Sequence, residues 1–133
     1  MDTQQFFNGL QRPVKPNHWL IAPADFIIKP DAVAPVFAVP VESLRGAFKA
    51  VVRQAHGTVI AGDADNGLHV VVTTPVFKFK DDIRALFIQI APQRSTFALY
   101  SVSRVGYWDT GANRRRLERW LRRTGGFLAG SKS

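Results

Sequence analysis

Residues 41–56 read VESLRGAFKAVVRQAH. The apolar members recur on one face of a helix with about 3.6 residues per turn. They are Val41, Leu44, Phe48, Val51, Val52 and Ala55. Pro40 before the stretch and Gly57 after it are typical of the two ends of a helix. The opposite face carries basic residues, so the pattern predicts an amphipathic helix that packs on a sheet.

Five short apolar runs after this helix predict the sheet. They occupy residues 58–61, 68–74, 76–80, 83–90 and 96–105. In the third run, Phe77 and Phe79 alternate with lysines, which predicts a strand with one buried face. Because the turns between the runs are short, we expect an antiparallel meander of four or five strands.

The N-terminal segment, residues 1–40, contains six prolines. Each proline removes a backbone donor and restricts φ, which disfavours a helix. The segment is nevertheless apolar, with Trp19, Ile21 and Phe26 among its side chains. We therefore expect an extended arm that packs on the domain and adds an edge strand near residues 25–29.

A second helix is predicted for residues 110–123, where Leu117, Trp120 and Leu121 form a narrow apolar stripe. Gly125-Gly126 is expected to end this helix, and residues 127–133 are expected to form a flexible tail. The predicted domain is α+β. It is a two-layer sandwich in which two helices cover one face of the sheet, with its core in residues 41–126.

Positive charge is concentrated toward the C-terminus. The net charge is +8 in 133 residues, and from Arg104 onward eight cations accompany only two carboxylates. Arg115, Arg119 and Arg122 lie on the side of the second helix away from its apolar stripe. This basic face predicts an anionic partner: an acidic protein, a membrane surface or a nucleic acid. A solvated helix face without a partner is the alternative.

Residue types argue against several kinds of chemistry. The chain has no cysteine, which excludes disulfides, thiolate catalysis and cysteine-ligated metals. His18, His56 and His69 lack the spacing of metal ligands, and no G-x-S-x-G nucleophile elbow is present. The sequence therefore predicts no catalytic residues, no metal site and no cofactor.

Targeting signals are not evident in the sequence. No apolar run approaches the length of a transmembrane helix, and the first residues lack the basic region of a signal peptide. The expected location is cytoplasmic for the sequence as given. It is periplasmic or membrane-associated if an N-terminal anchor was removed.

The densest polar stretch, residues 101–116, reads SVSRVGYWDTGANRRR and lies where the last strand turns into the second helix. Its hydroxyls, Arg104 and the amides at a helix start could together hold a phosphate or carboxylate, although Asp109 would repel an anion. The alternative is a corner held by hydrogen bonds within the protein. Tyr107 and Trp108 could stack on a base or sugar, or cover the end of the core.

Two adjacent carboxylates, Asp81 and Asp82, begin a predicted strand. Successive side chains of a strand point to opposite faces, so the pair does not predict a two-carboxylate site. One of the two is expected to pair with Arg104 or Arg114.

These motifs resemble an uncharacterised family, domain of unknown function 1499, found in bacteria and plant plastids. Residues 79–82 resemble its F-x-D-D, and residues 101–118 resemble its S-x-S-R-x-G-x-x-D-x-G-x-N-R-x-R-x-E. The resemblance extends over residues 15–123. The chain departs from the family at Tyr100, where an arginine is common, and at His18, where a cysteine is common. The resemblance implies one connected polar cluster of Asp81, Asp82, Ser101, Ser103, Arg104, Asp109, Asn113 and Arg114.

The family supplies no established activity, so three interpretations stay open. The first is a non-enzymatic binding, interaction or accessory domain that uses the basic helix. The second is a scaffold in which the polar cluster has a purely structural role. The third is an enzyme or binding site for a small anionic molecule at residues 101–116. Replacing Arg104 separates the last two, because a structural arginine is needed for folding whereas a ligand-binding arginine is not.

Overall fold

The computed structural model describes residues 2–64, 66–106 and 108–130. Within them lie three helices: α1 (Thr3–Asn8), α2 (Val41–Gln54) and α3 (Ala112–Gly130). The strands are β1 (His18–Ala22), β2 (Ala32–Val33), β3 (Thr58–Ala64), β4 (Gly67–Thr73), β5 (Lys80–Ala91) and β6 (Arg94–Ser103). The α+β class is confirmed, but the predicted two helices and four or five strands are too few. In this part of the chain, no helix has the length and apolar character needed to cross a membrane.

A single mixed sheet orders its strands β2-β1-β6-β5-β4-β3. β3 to β6 form an antiparallel meander, and β1 pairs antiparallel with β6. β1 and β2 are parallel, because the residues that connect them cross one face of the sheet before the chain returns. The long β5–β6 hairpin lies at the centre of the sheet.

Helices α2 and α3 pack on one face of the sheet. The Phe48 ring meets the rings of Phe87 and Phe97 at centroid distances of 5.8 Å each, and that of Trp120 at 5.9 Å. These edge-to-face contacts add to the gain from apolar burial. Phe48 therefore joins both helices to the central hairpin.

The other face of the sheet is covered by the N-terminal arm, which contains a helix where an extended chain was predicted. α1 begins with a capping box between Asp2 and Gln5 and buries Phe7 completely. Thr3 approaches Gly67 of β4 so closely that a side chain at that position would collide with it. Burial on this second face stabilises the helix, a tertiary effect that a count of prolines does not reveal.

The strand predicted near residues 25–29 is also wrong. The arm instead contributes β1, an interior strand between β2 and β6, with Leu20 and Ile21 buried on opposite faces. Residues 25–29 form no strand, and Phe26 packs on the second face. β1 contains no proline, so it can supply the ladder hydrogen bonds that an interior strand requires.

α3 continues past its predicted end. Gly125 and Gly126 lie within the helix, which ends at Gly130. Each glycine costs about 1 kcal/mol relative to alanine inside a helix. Leu128, which follows them, is buried in the core and offsets that cost. Residues 127–130 of the predicted tail are therefore helical, and residues 131–133 lie outside the described residues.

A loop takes the place of the strand predicted at residues 76–80. The amide of Thr74 donates to the carbonyl of Phe79 at 2.8 Å, which closes the loop. Phe77 and Phe79 project outward with stacked rings 5.5 Å apart, so the predicted buried face is absent. Pro75 lacks a backbone donor and ends the ladder of β4.

Candidate functional site

Strand β5 separates the residues that the sequence groups into one polar cluster. Asp81 and Asp82 are consecutive in β5, so their side chains lie on opposite faces of the sheet. Asp81 lies beneath α3 and pairs with Arg116. Asp82 lies on the face that α1 covers. Two polar clusters result instead of one, the first buried and the second partly exposed.

The buried cluster comprises Asn17, Asp81, Ser101, Ser103, Asp109, Asn113 and Arg116. Its central ion pair joins Nη2 of Arg116 to Oδ2 of Asp81 at 2.8 Å, with 8% and 4% of the two side chains exposed. Nη1 of Arg116 donates to Ser101 Oγ at 3.2 Å and to Asn113 Oδ1 at 3.0 Å. A buried guanidinium needs such partners, because an unpaired buried charge is strongly destabilising.

Asn113 connects the start of α3 to the sheet. Its Nδ2 donates to Ser103 Oγ and to the carbonyl of Asn17, both at 2.9 Å. Its Oδ1 accepts from Ser101 Oγ at 2.5 Å. Asp109 caps the helix by accepting from the amide of Asn113 at 3.1 Å. These bonds fix the angle at which β6 turns into α3.

The partly exposed cluster joins Asp82 to Arg104 and His69. Arg104 donates to both carboxylate oxygens of Asp82, at 2.8 and 2.9 Å, and His69 Nε2 lies 2.8 Å from Oδ1. The hydrogen bond from Arg104 lowers the pKa of Asp82; burial opposes this shift and His69 adds to it. Across the described residues, no three His, Asp or Glu side chains are grouped to hold a metal ion.

Three members of these clusters are absent from the predicted site: Asn17, His69 and Arg116. For Arg116 a signal existed, because it lies one helical turn before Trp120 and so shares the face that is buried. Asn17 and His69 come from distant parts of the chain and meet the others only through strand pairing. The sequence carried no local signal for them.

The remaining predicted residues lie on the outer surface of α3. Arg114 pairs with Glu118 at 2.6 Å, and its guanidinium lies 4.8 Å from the centre of the Trp19 ring. It belongs to neither cluster. The basic face is exposed at all three predicted positions, Arg115, Arg119 and Arg122.

Exposed apolar side chains gather where two loops meet at one end of the sheet. The loops are residues 74–79, between β4 and β5, and the segment from β6 to α3. We call these side chains the apolar tip: Val76 (80% exposed), Phe77 (74%), Phe79 (49%), Val105 (52%) and Trp108 (68%). Tyr107, paired with Trp108 in the sequence prediction, lies outside the described residues.

A cavity of about 330 Å³ opens beneath the apolar tip. Phe77, Phe79, Val105 and Trp108 all line it. Asp81, Ser103 and Asp109 line it as well, so the buried cluster forms part of its wall. The buried cluster thus adjoins both loops that present the apolar side chains.

Comparison with known proteins identifies a family but no activity. The family model described as "Protein of unknown function (DUF1499)" matches residues 10–123, which confirms the resemblance seen in the motifs. No curated protein matches the chain. A crystal structure of the protein TTHA0849 from Thermus thermophilus aligns over 80% of this chain and 86% of that chain, with 8% sequence identity and a TM-score of 0.34.

Proposed function

The chain belongs to the DUF1499 family of proteins of unknown function, and we propose that it is a non-enzymatic binding domain that docks on anionic membrane surfaces through the apolar tip. One observation carries the proposal: Phe77, Phe79, Val105 and Trp108 are exposed and line one cavity at one end of the sheet. Exposed Val76 precedes Phe77 in the chain. Singly exposed apolar residues are ordinary in proteins, but a contiguous apolar patch indicates an interaction site.

The chemistry of the apolar tip favours lipid over nucleic acid. Phe77, Phe79 and Trp108 could stack on bases as well as enter a bilayer. Val76 and Val105 have no ring to stack, and they gain free energy only by leaving water. Transferring one such side chain fully out of water contributes about 1.5–3 kcal/mol. An apolar acyl layer therefore accounts for all five side chains.

The charges around the apolar tip complement an anionic surface. Lys78 lies in the same loop as Phe77, and Lys80 follows at the start of β5; both are exposed. The whole chain carries a net charge of +8. Basic residues next to an anionic leaflet each contribute about 1 kcal/mol of attraction. The apolar side chains and the lysines would act together, as in other interfacial anchors.

The corner at residues 101–116 is a weaker candidate for a ligand site. Its side chains are largely engaged with one another: Ser101 and Ser103 bond Asn113, and Arg104 bonds Asp82. We infer that this corner supports the apolar tip from below. An enzyme acting there would first have to break these bonds.

Vesicle binding tests the proposal. We expect the protein to sediment with vesicles of phosphatidylcholine mixed with phosphatidylglycerol, and much less with phosphatidylcholine alone. Phe77→Ser should weaken that binding about tenfold, since about 1.4 kcal/mol of transfer free energy is lost. The matched control is Ile90→Ser, which changes an exposed apolar residue toward the other end of β5. That variant should bind as the unaltered protein does.

Two results would contradict membrane docking. One is an equal effect of Phe77→Ser and Ile90→Ser on vesicle binding. The other is saturable binding to a single-stranded oligonucleotide, lost in Phe77→Ser, together with no binding to either vesicle. The second result would identify the apolar tip as a base-stacking surface.

A further inference from the structure

A second cavity, of about 450 Å³, lies between α3, the end of α2 and the end of β4. We call it the basic groove. Arg119 and Arg123 line it from α3; they are four residues apart, so they share one face of the helix. His56, shortly after α2, and Thr74, directly after β4, line it from the other side. None of its described lining residues is acidic.

Two of the three arginines that line the basic groove, Arg119 and Arg123, lack counter-charges in the described part of the chain. Arg116 also lines the groove, but Asp81 neutralises it. In the part of the chain that the structure describes, neither Arg119 nor Arg123 forms an ion pair. Arg119 stays exposed, but partial desolvation against the groove wall, followed by the charges of neighbouring arginines, lowers its pKa. A bound anion would offset the repulsion among these arginines.

We propose that the basic groove binds a phosphate monoester. Two unneutralised guanidiniums match a group that carries a charge of about −1.5 to −2 at neutral pH. A carboxylate carries a single charge and would leave one arginine without a partner. The planar fork of arginine also suits phosphate oxygens, to which it donates two parallel hydrogen bonds.

The monoester could come from a free metabolite or from a lipid headgroup. Thr74 lines both the basic groove and the cavity beneath the apolar tip, so the two sites adjoin. A headgroup could therefore reach the groove from a membrane on which the apolar tip rests. The phosphate site itself does not depend on membrane docking, because its charge imbalance exists in the isolated chain.

Titration with glycerol 3-phosphate, followed by NMR, tests the free form. Arg119→Gln and Arg123→Gln should each weaken binding about tenfold, the effect of one lost charge-assisted contact. The matched control is Arg122→Gln, which removes the same charge from the same helix but does not line the groove. Its effect should stay below about twofold, because an exposed charge at a distance is screened by salt.

Vesicles that contain phosphatidic acid test the lipid form, since that headgroup is a phosphate monoester and phosphatidylglycerol is a diester. At equal surface charge, phosphatidic acid should bind more tightly, and only Arg119→Gln and Arg123→Gln should remove the difference. Phe77→Ser should weaken vesicle binding and leave glycerol 3-phosphate binding unchanged, which separates this site from the apolar tip. Equal losses in all three arginine variants, or no saturable binding of either probe, would overturn the proposal.

Discussion

Compared with Asp82, its neighbour Asp81 lies in a much more buried environment. Asp81 has 4% of its side chain exposed and pairs with an arginine that has 8% exposed. Asp82 has 21% exposed and pairs with an arginine that has 45% exposed. Both ion pairs have the same N–O distance, 2.8 Å. The comparison teaches that burial, rather than bond length, determines what each pair contributes to stability.

The largest expected effect comes from breaking the buried pair. Arg116→Leu leaves the Asp81 carboxylate without its counter-charge. It also removes the hydrogen bonds that Arg116 donates to Ser101 Oγ and Asn113 Oδ1. We expect the free energy of unfolding to fall by about 3–5 kcal/mol, the usual cost of a buried charge without its partner. Urea unfolding of the unaltered protein and the variant at neutral pH measures the difference.

The control for this experiment removes both charges at once. Asp81→Leu/Arg116→Leu leaves no unpaired ion and should be more stable than Arg116→Leu alone, because most of the loss in the single variant is the cost of the lone carboxylate. A single-variant loss below about 1 kcal/mol would mean that solvent reaches Asp81 and that its environment resembles that of Asp82.

The sequence predicted the elements better than it predicted the partners. Helical periodicity identified α2 and the face of α3 that carries Leu117 and Trp120, because both patterns depend on neighbours along the chain. The alternation rule correctly separated Asp81 from Asp82. It could not show that Arg116 would be the partner of Asp81, since that contact spans 35 residues and depends on how α3 crosses the sheet.

Of the apolar tip, the sequence singled out Trp108 as a possible binding residue, but it missed the side chains of the loop at residues 74–79 for a related reason. Phe77 and Phe79 alternate with lysines as a half-buried strand would, and that alternation alone does not mark them as exposed. Their exposure follows from Pro75, which ends β4, and from the hydrogen bonds that close the loop through Thr74. The proposed binding surface departs from local rules, as binding surfaces often do, because binding requires side chains that the core does not use.

A much smaller effect is expected on the exposed side of the comparison. Arg104→Ala removes the bidentate partner of Asp82, but both side chains remain in contact with solvent. The free energy of unfolding should fall far less than in Arg116→Leu, because an exposed ion pair contributes little to stability. The same urea experiment measures it. A loss as large as that of Arg116→Leu would indicate that the two pairs are equivalent and that the whole motif is structural.

The smallest effect is a shift in the titration of Asp82, which sharpens the comparison at a single carboxylate. Hydrogen bonding from Arg104 holds the pKa of Asp82 below its ordinary value of 3.8. In Arg104→Gln, whose shorter, neutral side chain cannot donate the two charge-assisted hydrogen bonds of the guanidinium, NMR titration of the carboxyl group should show a higher pKa.

A lowered pKa in the folded state also fixes the direction of a stability change with pH. The unfolded chain takes up a proton near the ordinary pKa of 3.8, whereas folded Asp82 does so only at a lower pH. The stability from this pair is therefore present above that ordinary value and is lost as pH falls through the lowered one. On acidification across this range, the unaltered protein should lose slightly more stability than Arg104→Gln. If stability fell equally with pH in the two proteins, Arg104 would not stabilise the charged form of Asp82.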